Sequence, residues 1–164
     1  MSWAAIILGL VACQRLAELV LARRNTKKLL ARGAVERGAA HYPLFILLHA
    51  AWLVAVFAFA AKDAPPVWAW LGLYLLLQGV RLWVITSLGP YWTTRIITLP
   101  AAPLIRSGPY RFLRHPNYAV VAAEIAILPL AFREYRVALV FFALNLALIA
   151  WRARIENQVL AERR

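Results

Sequence analysis

The stretch VWAWLGLYLLLQGVRLWVITSL, residues 67–88, is strongly apolar, and Arg81 is its single charged residue. A helix needs about 20 predominantly apolar residues to cross the hydrocarbon core of a bilayer. Pro65-Pro66 stands directly before the stretch, and prolines interrupt a helix. The sequence therefore predicts a membrane-spanning helix from Val67 to Leu88 that begins after a tight turn.

Two further apolar runs precede this turn, from Ser2 to about Ala22 and from Pro43 to Ala61. Each is long enough to span, and the turn makes the second and third helices an antiparallel hairpin. The segment from Gly89 to Pro116 is rich in proline, glycine and arginine, a composition typical of a loop.

Two shorter apolar runs follow, Asn117 to Phe132 and Val137 to Trp151. At about 16 residues each would be about 24 Å long, short of the roughly 30 Å hydrocarbon core. We expect an all-α integral membrane protein with about five transmembrane helices, the last two a short hairpin, with a cytoplasmic loop before the fourth and a helical C-terminal tail. It would form one membrane domain, 1–164, with a three-helix part, 1–88, and a catalytic part, 89–164.

Composition and charge agree with a membrane protein. The 164 residues are 63% hydrophobic and 16% charged, whereas about a quarter of a soluble domain is charged. Fourteen of the 19 Lys and Arg fall in three segments, residues 23–37, 89–116 and 152–164, against three on the opposite side, Lys62, Arg133 and Arg136. The positive-inside rule then predicts an outside N-terminus and a cytoplasmic C-terminus. Because topology explains the net charge of +12, nucleic-acid binding is not expected.

Ionisable side chains inside a span are costly and need partners. Arg15 and Glu18, three residues apart, can pair on one helix face. Glu124 has no cation within four residues, so it needs a partner from another helix, a bound cationic ligand, or protonation. The single cysteine, Cys13, predicts no disulfide and no cysteine metal site, and we expect no metal.

The fifth helix carries Asn145, Arg152 and Glu156 at spacings that place them on one face. The simpler interpretation is an ordinary Arg–Glu ion pair at the solvent-exposed end of a helix. This end lies on the same predicted side as the loop that ends in His115. We therefore expect one polar cluster where the membrane meets the cytosol.

The stretch GPYRFLRHPNY, residues 108–118, is the most distinctive of the chain. Pro116 suits the first position of a helix, and the free amides of a first turn attract anionic groups. Arg111, Arg114, His115 and Tyr118 would then surround a ligand with a carboxylate or phosphate, although a histidine before a helix is often only a cap.

These stretches resemble a known family. The run GPYRFLRHPNY, with LGPYWTTRIITLP before it and RARIENQVL after it, resembles the isoprenylcysteine carboxyl methyltransferase family of small multi-span enzymes that use S-adenosylmethionine. The resemblance covers about Leu88 to Leu160. QRLAELVLARRN and RGAVERGAAHYP are similar to a bacterial branch that includes alkylpyrone methyltransferases associated with type III polyketide synthases.

The resemblance implies methyl transfer from S-adenosylmethionine to a carboxylate, enol or phenol oxygen of a lipophilic acceptor from the bilayer. The family's Arg-His-Pro-x-Tyr element, part of its cofactor site, falls on Arg114, His115, Pro116 and Tyr118. Its C-terminal element falls on Arg152, Glu156, Asn157 and Leu160, with Asn157 where a second Glu is usual. Our hypothesis assigns catalysis to Arg152 and Glu156, cofactor binding to Arg114, His115, Pro116, Tyr118 and Glu124, and substrate binding to Arg152, Asn157 and Asn145.

Two other interpretations remain open at this point. Membrane sterol reductases, which use NADPH, have a similar Arg-His-Pro-x-Tyr element, but a Glu follows their Tyr more closely than Glu124 follows Tyr118. A non-enzymatic membrane scaffold would use polar residues only for helix packing. The seven glycines include no clustered G-x-G, so the usual dinucleotide fingerprint is absent.

The expected partners are membrane lipids and a lipophilic small molecule, whereas the identity of the acceptor and the oligomeric state stay open. Five tryptophans can line a lipid cavity or belong to an interfacial belt: Trp52, Trp68, Trp70, Trp83 and Trp92.

Overall fold

The computed structural model describes residues 2–61, 64–99, 102 and 105–161. Within these ranges the chain forms five α-helices and one antiparallel pair of short strands. The elements are α1 Trp3–Leu30, β1 Val35–Arg37, α2 Tyr42–Phe59, α3 Trp68–Leu88, β2 Ile96–Thr98, α4 Pro116–Ala131 and α5 Tyr135–Ala161. Lys62, Arg163, Arg164 and the side chain of Leu160 lie outside the described part of the chain.

Four helical segments of the described chain are long and apolar enough to cross a membrane: Trp3–Leu30, Ala39–Phe59, Trp68–Tyr91 and Tyr135–Val159. The fifth, α4, has 16 residues, the length that the sequence predicts. Large apolar side chains lie exposed on these helices, among them Leu16, Leu76 and Leu139. Because contiguous apolar surface of this extent suits lipid and not water, the architecture is that of an all-α integral membrane protein.

Helix α1 extends further than predicted, whereas the continuation of α5 corresponds to the predicted helical tail. Helix α1 continues from Ala22 to Leu30, since no glycine or proline occurs between Ala22 and Gly33 and since Lys27 and Lys28 in its last turn suit the helix dipole. Helix α5 runs on from Trp151 to Ala161 through good helix formers. The fifth apolar run and the predicted helical C-terminal tail thus form one continuous helix.

Hydrogen bonds at the two ends of the molecule show that neighbouring helices alternate in direction. At one end, called the far end, the Val67 amide donates to the Ala131 carbonyl at 2.8 Å. At the other, called the site end, Asn25 Nδ2 donates to the carbonyl of Trp92 at 2.9 Å, and β1 pairs with β2, Glu36 opposite Ile97. The pairing of β1 with β2 was not predicted, because three residues are too few to show an alternating pattern.

A group of charged side chains connects α1, α3 and α4 inside the membrane-spanning region; we call Arg15, Glu18, Arg81 and Glu124 the ion network. Arg81 Nη1 and Arg15 Nη2 both bind Glu124 Oε2, at 2.9 and 2.8 Å. Arg81 also binds Glu18 through Nε at 2.7 Å, and the predicted Arg15–Glu18 pair is present at 3.1 Å. Gln78 Nε2 donates to Glu124 Oε1 at 2.9 Å. Two positive and two negative charges thus neutralise one another and fix α4 to α1 and α3.

Candidate functional site

The start of α4 and the end of α5 meet at the site end of the molecule. Arg152 Nε donates to the Tyr118 hydroxyl oxygen at 2.8 Å. The Tyr118 hydroxyl in turn donates to Glu156 Oε2. Arg152 and Glu156 stand one helical turn apart on α5, so a single tyrosine in the first turn of α4 contacts both. The structure thus brings three of the predicted site residues into one chain of hydrogen bonds.

His115, the residue before α4, faces α5 as well. Its Nε2 lies 3.1 Å from Asn157 Oδ1, and its Nδ1 lies 3.6 Å from Glu156 Oε2. Its ring stacks on Tyr118 with centroids 5.0 Å apart and planes 13° apart. Asn157, which replaces the family's second Glu, therefore supplies a hydrogen-bonding oxygen to the histidine without adding a second charge.

Arg152 is positioned from three directions. Besides Tyr118, it binds the Thr94 carbonyl through Nη1 at 2.7 Å. Its guanidinium lies near two aromatic rings, 5.5 Å from the centre of Phe45 and 5.7 Å from that of Tyr118, distances typical of cation–π contact. Phe45 and the Thr94 carbonyl were not predicted, since neither an apolar residue of a span nor a backbone oxygen has a distinguishing sequence pattern.

The loop that contains Thr94 is attached to the segment before α2. Arg95 Nη1 contacts both carboxylate oxygens of Glu36 at 2.9 Å, and its guanidinium lies 4.5 Å from the Tyr42 ring centre. The Tyr42 and Thr94 hydroxyls are 3.2 Å apart. These contacts fix the Thr94 loop, whose Arg95 lines the cavity described next, to Glu36 and to the first residue of α2.

A cavity of about 710 Å³ lies between these elements, within the size range of small-molecule sites. The predicted residues that line it are Arg111, Arg114, His115, Tyr118, Arg152, Glu156 and Asn157. Apolar residues line other parts of it, among them Leu29, Leu88, Phe112 and Leu113. The cavity thus offers both polar and apolar surface to a ligand.

Three polar atoms of the cavity lining are buried without a hydrogen-bond partner: Trp92 Nε1, Thr98 Oγ1 and Asn117 Oδ1. Buried polar groups are costly unless they are paired. A ligand with both donors and acceptors therefore fits this cavity. Of the five tryptophans considered above, Trp92 lines the cavity. Thr98 and Asn117 were not predicted as site residues, although Asn117 lies within the distinctive stretch 108–118.

Tyr110 adds a hydroxyl to the same cavity. Burial, together with the negative charge of Glu156, raises the pKa of Tyr110 well above its ordinary value. The phenol consequently stays protonated at neutral pH and remains a hydrogen-bond donor.

Three predicted site residues lie outside the cavity lining. The Glu124 carboxylate is bound by Arg15, Arg81 and Gln78 in the ion network, so its predicted partner from another helix is present and its role at the cofactor stays a prediction. Asn145 is fully buried with both amide atoms unpartnered, two helical turns from Arg152, and its assignment to the substrate stays a prediction. Pro116 is buried as the first residue of α4, where it starts the helix.

The fold and the cavity define a polytopic membrane protein with a ligand site at one end of its helices. The chain belongs to the isoprenylcysteine carboxyl methyltransferase (ICMT) family, whose model matches residues 70–162. The matched region includes α4, α5 and the polar residues that they contribute to the cavity, and it excludes β1 and Phe45. Family membership supports a membrane methyltransferase.

Two curated relatives match over most of their length. One, described as uncharacterized protein YpbQ of Bacillus subtilis (strain 168), is 37% identical over 162 residues and covers 96% of each chain. An uncharacterized protein of Haemophilus influenzae is 28% identical over 152 residues, 90% of this chain and 88% of its own. No solved structure matches the chain.

Proposed function

We propose that this protein transfers a methyl group from S-adenosylmethionine to an oxygen of a lipophilic acceptor taken from the bilayer. The observation that carries the proposal is the chain of hydrogen bonds from Arg152 through Tyr118 to Glu156, inside a cavity with polar and apolar surface. Family membership supports the methyl transfer itself.

The cavity residues fit the polar parts of the cofactor. Asn117 Oδ1, which lacks a partner, can accept a hydrogen bond from an amino group, and Trp92 Nε1 can donate one. Arg114 is exposed at the cavity and can bind a carboxylate. When bound, S-adenosylmethionine supplies a methyl group on a positively charged sulfur, and this reactivity belongs to the cofactor.

Arg152 would position the acceptor. Its Nε and Nη1 are engaged by Tyr118 and Thr94, so among the described residues Nη2 remains for an acceptor oxygen. The bond from this oxygen to the methyl carbon forms as the carbon–sulfur bond breaks, and the sulfur leaves as a neutral thioether. Holding the oxygen in line with that bond and excluding water are the protein's main contributions.

Glu156 would receive the acceptor's proton where there is one to lose. An enol or phenol gives up its proton as its oxygen is methylated, and the Glu156 carboxylate can take it directly or through the Tyr118 hydroxyl. A carboxylate acceptor has no proton to lose and needs only the positive charge of Arg152. The same site thus accommodates either class of oxygen.

The cofactor would enter from the cytoplasm and the acceptor from the bilayer. We place the protein in the bacterial inner membrane with the site end in the cytoplasm, because the cation-rich segments converge there. Nucleic acid has no role in this proposal.

The test uses membranes that contain the protein, S-adenosylmethionine labelled in its methyl group, and a lipid extract. We expect a labelled product that partitions into organic solvent, is lost in Arg152→Gln and is retained in Arg154→Gln. Arg154 is the matched control because it is exposed and does not line the cavity. A water-soluble labelled product would contradict uptake from the bilayer. A melting temperature raised by NADPH, but not by S-adenosylhomocysteine, would contradict the methyltransferase.

A further inference from the structure

Phe112 and Leu113 are unusually exposed. Their relative exposures are 74% and 53%, and Phe112 is the most exposed large apolar residue in the described part of the chain. Neither lies on a membrane-spanning helix; both follow the short turn Gly108–Arg111. Exposure of two adjacent large apolar side chains to water is unfavourable. Because the protein's own interior does not cover them, we look for an apolar surrounding outside the protein.

The turn before them packs within the span of α3. Gly108 has a φ of +57°, and a Cβ built on it would lie 3.1 Å from Ser87 Cβ and 3.2 Å from Trp83 Nε1. Both contacts precede the end of α3 at Leu88 and fall inside the candidate span Trp68–Tyr91. The turn therefore lies at the depth of the last turns of α3.

The length of α4 gives the same depth independently. Its end is level with the start of α3 through the bond from the Val67 amide to the Ala131 carbonyl. Helix α4 has 16 residues, whereas α3 has 21 residues. At the usual rise per residue, α4 is about 24 Å long and α3 is about 32 Å long. The start of α4, which closely follows Phe112 and Leu113 in the chain, thus lies more than one helical turn nearer the far end than the end of α3.

Exposed arginines flank the two apolar residues: Arg106, Arg111 and Arg114. The Arg111 guanidinium lies 5.8 Å from the centre of the Phe112 ring. Apolar side chains beside arginines are typical of segments in the interfacial layer, where the cations meet lipid phosphates. The charge of this loop therefore favours an anionic bilayer surface as its partner.

We propose that the segment Arg111–Arg114, called the lip, inserts Phe112 and Leu113 into the interfacial layer of the bilayer. Because both side chains also line the cavity, the lip is the border between the site and the surrounding lipid. A lipophilic acceptor would pass under it. This last step rests on the proposed function, whereas the insertion does not.

The test places a fluorescent label at single cysteines of the full chain, reconstituted in vesicles of phosphatidylcholine and phosphatidylglycerol. In a Cys13→Ala background we use Phe112→Cys and, separately, Leu113→Cys. Leu76→Cys, exposed near the middle of α3, is the control in lipid, and Lys28→Cys, exposed in the last turn of α1, is the control in water. Circular dichroism confirms that each variant is folded.

We expect labels at 112 and 113 to lose most of their fluorescence to lipids brominated near the headgroup and little to aqueous iodide. The label at position 76 should respond to lipids brominated deep in the chain, and that at position 28 to iodide. Quenching of both lip labels by iodide would overturn the proposal. So would shielding from both quenchers that increases with protein density, since a second copy would then cover the lip. No turnover is measured, so failure of the methyltransferase proposal cannot be mistaken for failure of this one.

Discussion

Among the described residues, the Tyr118 hydroxyl links Arg152 to Glu156 through two hydrogen bonds. Tyr118→Phe removes this link and keeps the ring that stacks on His115. For an enol or phenol acceptor we expect turnover to fall about a hundredfold, in the range of general acid–base effects. For a carboxylate acceptor, which has no proton to lose, the loss should be within about tenfold on the same basis.

Product formation with the labelled cofactor measures this effect. Tyr135→Phe, an exposed tyrosine at the start of α5, is the control. Unchanged turnover of a phenolic acceptor by Tyr118→Phe would exclude proton transfer through the Tyr118 hydroxyl and leave direct transfer to Glu156.

The Phe45 ring contacts the Arg152 guanidinium, as the Tyr118 ring does. Phe45→Leu keeps an apolar side chain but removes the ring face, whose contact with a cation is worth about 1 kcal/mol. We expect kcat/KM for the acceptor to fall about fivefold, the equivalent of that energy, and Phe45→Tyr to restore it.

Binding of S-adenosylhomocysteine, followed by the shift in melting temperature, should be equal in the two variants. A matching loss of cofactor binding in Phe45→Leu would show a general disturbance of the site instead of a displaced arginine.

At this scale the sequence indicates the charged and motif residues but not their partners. His115, Tyr118, Arg152 and Glu156 were identified by side-chain chemistry at a helix start and on one helix face, and the structure brings them together. For Glu124 the sequence showed that a partner was needed, yet the choice between a ligand and Arg15 with Arg81 depends on how the helices are arranged. That arrangement is not encoded in local spacing.

Among the elements, the ion network couples α4 to α1 and α3. Arg81 contributes to both carboxylates, so its replacement leaves Glu18 and Glu124 with Arg15 alone. Arg81→Met should lower the free energy of unfolding by about 3–5 kcal/mol, the usual cost of removing one partner of a buried ion pair.

The double variant Arg81→Met with Glu18→Met leaves the neutral Arg15–Glu124 pair. It should be more stable than Arg81→Met alone, because the unpaired buried charge is gone. Thermal unfolding in detergent compares the two variants. If the double variant is no more stable than Arg81→Met, or if its loss of stability is the sum of the losses of the two single variants, the four groups do not act as one neutral set.

Helix existence was predictable from apolar length, but helix ends were not. The extension of α1 to Leu30 carries charged residues that a hydropathy pattern assigns to a loop, whereas the extension of α5 to Ala161 agrees with the helical tail that the sequence predicts. Both extensions matter to the site, since Leu29 lines the cavity and Arg152, Glu156 and Asn157 lie in the extension of α5.

For the whole molecule, charge distribution predicts the orientation in the membrane. The site end carries the cation-rich segments, so we expect it in the cytoplasm. A C-terminal fusion to green fluorescent protein should be fluorescent, and a C-terminal fusion to alkaline phosphatase inactive. N-terminal fusions should give the opposite result, and a reversed pattern would contradict both the orientation and cytoplasmic access of the cofactor.

The site also requires both halves of the chain. The family model begins at residue 70, but Glu36, Tyr42 and Phe45 from the first half hold the Thr94 loop and Arg152. The expected division into a three-helix part, 1–88, and a catalytic part, 89–164, stays a prediction about sequence organisation. Both parts line the cavity, the first through Leu29 and Leu88. This sharing could not be predicted from separate sequence segments, because it depends on how the helices pack.

The short α4 has a further consequence for the lipid around it. A helix of about 24 Å beside a neighbour of about 32 Å creates hydrophobic mismatch, which a bilayer relieves by local thinning at a modest cost per ångström. Thinning next to α4 brings the headgroups closer to the cavity. Methylation measured in phosphatidylcholines of graded acyl-chain length should therefore be fastest in the shorter lipids and decline as the chains lengthen. The methylation rate would then depend on the thickness of the membrane.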